Sequence, residues 1–93
     1  MNKKLLTKNF LALEKVFFHF YLLSISDTNK SAFLSASTQC KSILNLIDED
    51  DYEKATQEWY TLMHFSDDSV PISEEYLEKY TPLKQRIINS GLQ

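Results

Sequence analysis

Few residues in this chain are of the types that usually carry out chemistry, and none stands in a catalytic or metal-binding spacing. His19 and His64 lie in the segments VFFHFYLL and LMHFSDD, and Cys40 is the one cysteine. One cysteine forms no intrachain disulfide, and so few ligands do not predict a structural zinc site. We expect His19 to be a core or boundary residue and Cys40 to be a buried, unreactive thiol. His64 is expected to be a helix-end residue, with a partner contact or general base as the alternative.

The carboxylates around residue 50 resemble a calcium loop only in part. Asp48 and Asp50 stand where such a loop has oxygen ligands, but Glu53 occupies the sixth position, which requires glycine. Trp59 stands at the twelfth position, where the loop has its bidentate glutamate. Because no convergent set of groups is indicated, we predict that the protein is not an enzyme. We also predict no metal, cofactor or small-molecule substrate.

Length and composition exclude several other classes of protein. The 93 residues are 43% hydrophobic and 13% aromatic, which predicts one domain over residues 1–93 with one modest core. Gly91 is the only glycine, so phosphate-binding loops and glycine-dependent hairpins are not expected. The apolar run over residues 16–23 is too short to span a bilayer, and Glu14 and Lys15 directly before it argue against a signal peptide. We therefore expect a cytoplasmic protein without membrane contact, in keeping with its single cysteine.

Hydrophobic periodicity predicts an all-α fold, namely an antiparallel bundle of four helices with short connections. In each predicted helix, apolar residues recur mostly at steps of three and four: Leu6, Phe10, Leu13, Phe17, Phe20 in the first; Phe33, Ala36, Cys40, Ile43, Ile47 in the second; Tyr52, Ala55, Trp59, Leu62, Met63 in the third; and Tyr76, Leu77, Tyr80 in the fourth.

Helix boundaries follow from capping residues. Asp50 with Glu53 resembles a capping box at the start of the third helix. Pro82 interrupts the fourth helix, so we predict a kink or a restart there, with Thr81 as the new N-cap. Gly91 is suited to ending that helix.

Charge is strongly segregated along the chain, although the net charge is only −3. Residues 1–47 carry +4, residues 48–78 carry −10, and residues 79–93 carry +3. Tyrosines and Trp59 are interleaved with the acidic residues of the middle segment. Trp59 and Tyr60 stand about 100° apart on a helix, so we expect one of them to face solvent or a partner.

An acidic surface that carries aromatic side chains can steer a basic partner and then anchor it. We therefore predict a small protein-binding module that neutralises a basic protein. Its most concrete form is an immunity protein or antitoxin against a nuclease-type toxin, an analogy drawn from size, acidity and aromatic content. The residues predicted to contact the partner are Asp48, Glu49, Asp50, Asp51, Tyr52, Glu53, Tyr60, Asp67 and Asp68.

Two other interpretations remain open at the level of sequence. The acidic residues could simply favour helix starts, or be neutralised by the lysines of the first helix, with the aromatics in the core. Alternatively, the apolar segment 16–25 could be the interface of a homodimer or of a secretion-type adaptor. Nucleic-acid binding is disfavoured by a pI near 5.3. A basic strip on the first helix stays a minor hypothesis.

Overall fold

Four α-helices make up most of the protein in a computed structural model that describes residues 2–92. They are α1 (Lys3–Leu23), α2 (Asp27–Asp48), α3 (Tyr52–Asp68) and α4 (Glu74–Asn89). Each begins at a residue whose side chain accepts a hydrogen bond from the backbone N–H three residues on: Asn2, Ser26, Asp51 and Ser73. Residues 2–92 contain no β-strand. The predicted all-α four-helix bundle is confirmed.

Helix α1 is the central element, since it packs against both α2 and α4. The α1–α2 pair is antiparallel, because Lys3 bonds Asp50 at one end while Phe20 stacks on Phe33 at the other. The α1–α4 pair is antiparallel as well, with Phe20 against Tyr76 and Asn9 bonded to Ser90. Helix α3 packs against α2 and reaches α1 through an edge-to-face contact of Trp59 with Phe10, whose ring centres are 5.4 Å apart.

The predicted apolar stripes form the core, except that Leu77 of the fourth helix is exposed and Tyr52 and Met63 of the third are half-buried. All five stripe residues of α1 and all five of α2 are buried, as are Ala55, Trp59 and Leu62 of α3. Helix α4 contributes Tyr76 and Tyr80, which stack with ring centres 5.1 Å apart. Four aromatic rings from three helices therefore meet between α1, α2 and α4: Phe17, Phe20, Phe33 and Tyr76.

Of the two alternatives predicted at Pro82, a restart with Thr81 as N-cap is wrong, because α4 runs without interruption from Glu74 to Asn89, and the kink stays a prediction. Pro82 lies inside this helix and is exposed, so its ring projects to the solvent side while Tyr80 and Leu83 hold the helix to the core. Packing of the apolar face therefore outweighs the loss of one backbone hydrogen bond. Gly91 follows the helix with φ of +98°, as predicted for its C-terminal turn.

No helix in the described part of the chain combines the length and apolarity that a bilayer span requires.

Candidate protein-binding surface

The acidic turn between α2 and α3 is shaped by its own backbone hydrogen bonds. The N–H of Asp51 bonds the carbonyl of Leu46 and the N–H of Asp50 bonds that of Ile47, which is the pairing of a Schellman motif. Asp50 takes the left-handed conformation this motif needs, with φ of +61°. Aspartate tolerates that region better than most residues with a β-carbon.

The predicted capping box is therefore wrong in its register. Asp51, not Asp50, is the N-cap of α3, and its Oδ1 accepts from the N–H of Lys54 at 3.2 Å. Asp50 precedes it and belongs to the turn that ends α2. Because two acidic residues adjoin at this boundary, the sequence alone did not decide which one ends a helix and which one begins the next.

Five carboxylates of this turn are exposed and form one cluster, here called the turn cluster: Asp48, Glu49, Asp50, Asp51 and Glu53. Lys3 of α1 partly neutralises it, with its Nζ 3.0 Å from Asp50 Oδ1 and 3.1 Å from the Asp48 carbonyl. The Tyr52 hydroxyl donates to the same Asp50 oxygen at 3.1 Å. The bond from Lys3, followed by that from Tyr52, lowers the pKa of the Asp50 carboxyl. Tyr52, predicted to contact a partner, is thus half-buried and engaged within the chain.

A second set of exposed residues continues along α3. Glu53, Gln57, Tyr60, His64 and Asp68 recur at steps of three and four, so they share the side of the helix opposite its buried residues. We call this side the outer face of α3. Tyr60 lies near its middle and is 44% exposed, whereas Trp59 is fully buried. The expectation that one of these two aromatics faces outward is confirmed.

Asp67 and Asp68 lie at the end of α3 that is far from the turn cluster. Asp68 is fifteen residues after Glu53, a separation of about 22 Å along the helix axis. Asp67 is held within the fold, since it accepts from the Tyr80 hydroxyl at 2.9 Å and from Lys84 Nζ at 2.8 Å. Burial, and then the bond to Asp67, raises the pKa of Tyr80. Asp68 is exposed and makes no such contact among residues 2–92. The structure therefore does not bring these two aspartates into the turn cluster.

Two glutamates that contribute to the negative charge of the sequence form hydrogen bonds between helices. Glu58 faces α2 and accepts from Gln39 at 3.1 Å and from Ser42 at 2.9 Å. Glu14 of α1 accepts from Ser37 at 2.8 Å and lies 3.8 Å from Lys41. Both carboxylates are half-buried between helices.

The lysines of α1 neutralise little of the negative charge of residues 48–78. Among residues 2–92, the ion pairs of the acidic middle segment are Lys3 with Asp50 and Lys84 with Asp67. Lys4, Lys8 and Lys15 form none in that part of the chain and are exposed. The remaining carboxylates of the turn cluster, and Asp68, thus project charge into solvent.

The residues considered for chemistry are dispersed. Cys40 is fully buried, and that burial raises the pKa of its thiol far above the usual range, as expected for an unreactive cysteine. His19 and His64 are both exposed, on α1 and α3 respectively. Within the described residues, no three histidine, cysteine or acidic side chains are grouped so that they could hold a metal ion.

Comparisons with protein-family models, curated proteins and solved structures found no significant match to this chain.

Proposed function

We propose that the protein is a binding module whose acidic surface, made of the turn cluster and the outer face of α3, docks on a basic protein and occludes it. The observation that carries this proposal is the placement of exposed Tyr60 between two acidic ends of one helix face. Tyrosine anchors interfaces well because it is rigid, large and polar at its tip. Its acidic surroundings would steer a cationic partner towards it.

The most concrete partner is a nuclease-type toxin, which would make the protein an immunity protein or antitoxin. Nucleases bind a polyanion and therefore carry a cationic surface. A rigid acidic module could cover such a surface without any chemistry of its own. This step rests on charge complementarity and on the small size of the bundle.

The turn cluster and Asp68 are about 22 Å apart along α3, beyond the Debye length of about 8 Å at physiological salt. They would therefore act as two separate docking points, with Tyr60 between them. A complementary partner would present two cationic groups flanking an apolar or aromatic site. Glu49, Glu53 and Asp68 are the best positions to test, because within residues 2–92 they hold no bond that the fold needs.

The experiment is a kinetic binding measurement against the partner captured from the native cell. Charge reversal in E49K/E53K should slow association by about tenfold and flatten its salt dependence, since electrostatic steering is lost. E75K/E78K is the matched control, because it changes the same charge on exposed positions of α4. Y60A should weaken affinity by about 30-fold through faster dissociation. Binding of E49K/E53K and Y60A at the wild-type rates would refute the proposal.

Self-association is the second candidate. Its supporting observation is that Phe18, Leu22, Leu23 and Ile25 of the predicted interface 16–25 are exposed, by 40%, 63%, 57% and 95%. We rank it lower because the same side of α1 carries three lysines, which an isologous pairing would bring close together. Light scattering of the purified protein tests it, since a dimer dispersed by L22S/I25S would support this candidate.

A further inference from the structure

The side of α1 that points away from the core is both basic and apolar. Lys4, Lys8 and Lys15 lie on it, at steps of three and four from the apolar residues Leu11, Phe18 and Leu22, and Ile25 follows in the link to α2. We call it the outer face of α1. All seven residues are exposed, whereas the stripe from Leu6 to Phe20 on the other side is buried. Helix α1 therefore carries apolar residues on two sides. One side is buried in the core of the bundle, and the other is exposed to solvent.

The uncovered apolar side chains are concentrated towards the end of α1. Leu22 is 63% exposed and Ile25, in the link to α2, is 95% exposed. Ile72, in the link between α3 and α4, lies at the same end of the bundle and is 51% exposed. Exposed apolar side chains that follow one another along one helix face, as Leu11, Phe18 and Leu22 do, mark interaction sites more often than scattered ones do.

Helix α4 extends the positive charge of this side. Lys15, Val16 and His19 of α1 line, together with Lys79, a shallow hollow of about 190 Å³ between α1 and α4. Because the two helices are antiparallel, with Phe17 beside Tyr80 and Asn9 beside Ser90, Arg86 lies level with about residue 12 of α1, between Lys8 and Lys15. Arg86 is exposed and forms no ion pair within residues 2–92.

Acidic groups are few along the length of this side, and the exposed carboxylates nearest its apolar end are those of Asp27 and Glu74, at the starts of α2 and α4. Glu14, the only acid of α1, faces α2, where it accepts from Ser37. On α4, Glu75 lies one turn before Lys79, on the same side of that helix. The outer face of α1 and the adjoining side of α4 thus carry five cations against one carboxylate: Lys4, Lys8, Lys15, Lys79 and Arg86 against Glu75.

A partner that complements this side must be anionic and apolar at once. A second copy of the chain does not present a surface that is both anionic and apolar. Its outer face of α1 has the same lysines, and its outer face of α3 is acidic but offers Tyr60 as the main exposed apolar group. A nucleic acid would satisfy the cations, but it would leave Leu22 and Ile25 without apolar contacts, and these aliphatic side chains do not stack on bases as aromatic ones do. An anionic phospholipid surface provides phosphate groups and acyl chains together.

We propose that the outer face of α1 and the adjoining side of α4 bind the surface of an anionic phospholipid bilayer. The hollow between Lys15 and Lys79 receives a headgroup phosphate, and Leu22 and Ile25 enter the boundary between headgroups and acyl chains. This mode differs from spanning the bilayer, because the bundle stays folded and lies on the surface. It departs from our expectation from the sequence, which was that the protein makes no membrane contact.

The lipid-facing side and the acidic surface are separate. Phe10 points from α1 across the core to Trp59 of α3, so the outer faces of these two helices look in different directions. The module could therefore hold a basic protein partner while it is bound to a membrane. The lipid proposal does not depend on the proposed function, and the two can fail independently.

Vesicle co-sedimentation of the purified protein tests the inference. One set of vesicles is phosphatidylcholine alone, and the other contains about one-third phosphatidylglycerol. We expect binding to the anionic vesicles, weakened by high salt, and little binding to the neutral ones. K8Q/K15Q should lower the partition coefficient by about 30-fold, since each lysine near such a surface contributes about fivefold. L22S/I25S should lower it by at least about tenfold because apolar insertion is lost.

Two controls keep the result interpretable. The variant E53Q/D68N changes two charges on the other side of the bundle and should bind anionic vesicles at least as well as the wild type. Circular dichroism and melting of every variant show whether the fold is retained, which we expect because all these positions are exposed.

Several outcomes would overturn the proposal. Equal binding to neutral and anionic vesicles would remove the role of the lysines, and absence of binding to either would remove the proposal itself. Tighter binding to a DNA duplex than to anionic vesicles, lost in K8Q/K15Q, would assign the surface to nucleic acid. A dimer that L22S/I25S converts to monomers, without vesicle binding, would assign it to a second copy of the chain.

Discussion

Asp67 was predicted from sequence to contact a partner. Its contacts in the structure indicate instead that replacing it lowers the free energy of unfolding. The carboxylate accepts from the Tyr80 hydroxyl at 2.9 Å and from Lys84 at 2.8 Å, and so joins the end of α3 to α4. A hydrogen bond to a charged group contributes about 1.5–3 kcal/mol. The ion pair adds about 0–1 kcal/mol, since Lys84 and Asp67 side chains are 28% and 36% exposed.

We expect D67A to lower the free energy of unfolding by about 2–3 kcal/mol, which for a domain of this size is about 10–20 °C in melting temperature. D67N, which retains an acceptor for Tyr80, should lose about 1 kcal/mol or less. Denaturant titration followed by circular dichroism measures both. Asp68 supplies the matched control, because it is the neighbouring aspartate and is exposed without these bonds, so D68A should stay within about 0.5 kcal/mol of the wild type.

A double-mutant cycle assigns the effect to the intended pair. D67A, Y80F and D67A/Y80F should give a coupling energy of about 1–2 kcal/mol between the two side chains. Equal stabilities for D67A and D68A, or a coupling energy near zero, would refute the reasoning that Asp67 holds α3 to α4.

Three further predictions concern other parts of the bundle. E58A should destabilise the protein by about 1–2 kcal/mol in chemical denaturation, because two donors on α2 lose their acceptor; a loss no larger than that of Q57A, on the exposed side of α3, would contradict this. The Cys40 thiol should react with a disulfide reagent only as fast as the protein unfolds, since burial removes access and raises its pKa; rapid reaction in native buffer would show otherwise. K3Q should raise the pKa of the Asp50 carboxyl towards its ordinary value in an NMR titration, whereas K4Q should not.

The pH dependence of the Lys3–Asp50 contact follows from the direction of that shift. Because folding lowers the carboxyl pKa, its contribution to stability is present above the pKa of the unfolded chain and disappears as the pH falls through the lowered folded value. The loss therefore belongs to the acid range. Both side chains are exposed, so we expect a small effect that salt diminishes.

Much of the fold could be predicted because buried positions recur at the helical period. The stripes led by Phe10 and Phe33 are buried as expected, and Ser73 and Gly91 bound α4 as their types suggest. The errors concern positions where two local rules compete. Pro82 favours a helix start, but the apolar residues on both sides of it pack on the core and keep α4 continuous.

The candidate surface could be predicted only in part, since sequence distance does not determine which carboxylates meet a cation. Asp67 and Asp68 are adjacent and chemically identical, yet one faces Tyr80 and Lys84 while the other faces solvent. A helix turns about 100° per residue, so neighbours in sequence enter different surroundings. The basic strip and the apolar segment 16–25 of α1 were considered from the sequence, but the contribution of Lys79 and Arg86 was not, because these residues adjoin α1 only after the chain has folded back.

Periodicity and composition were sufficient to predict the four-helix bundle, the positions of its core stripes and the concentration of acidic residues between residues 48 and 78. Which of those charges pair within the fold and which stay exposed depends on how the helices pack. Periodicity is a local property, carried by residues three and four positions apart along one helix. Charge pairing depends on residues such as Lys3 and Asp50, which are distant in the chain and are brought together only by helix packing.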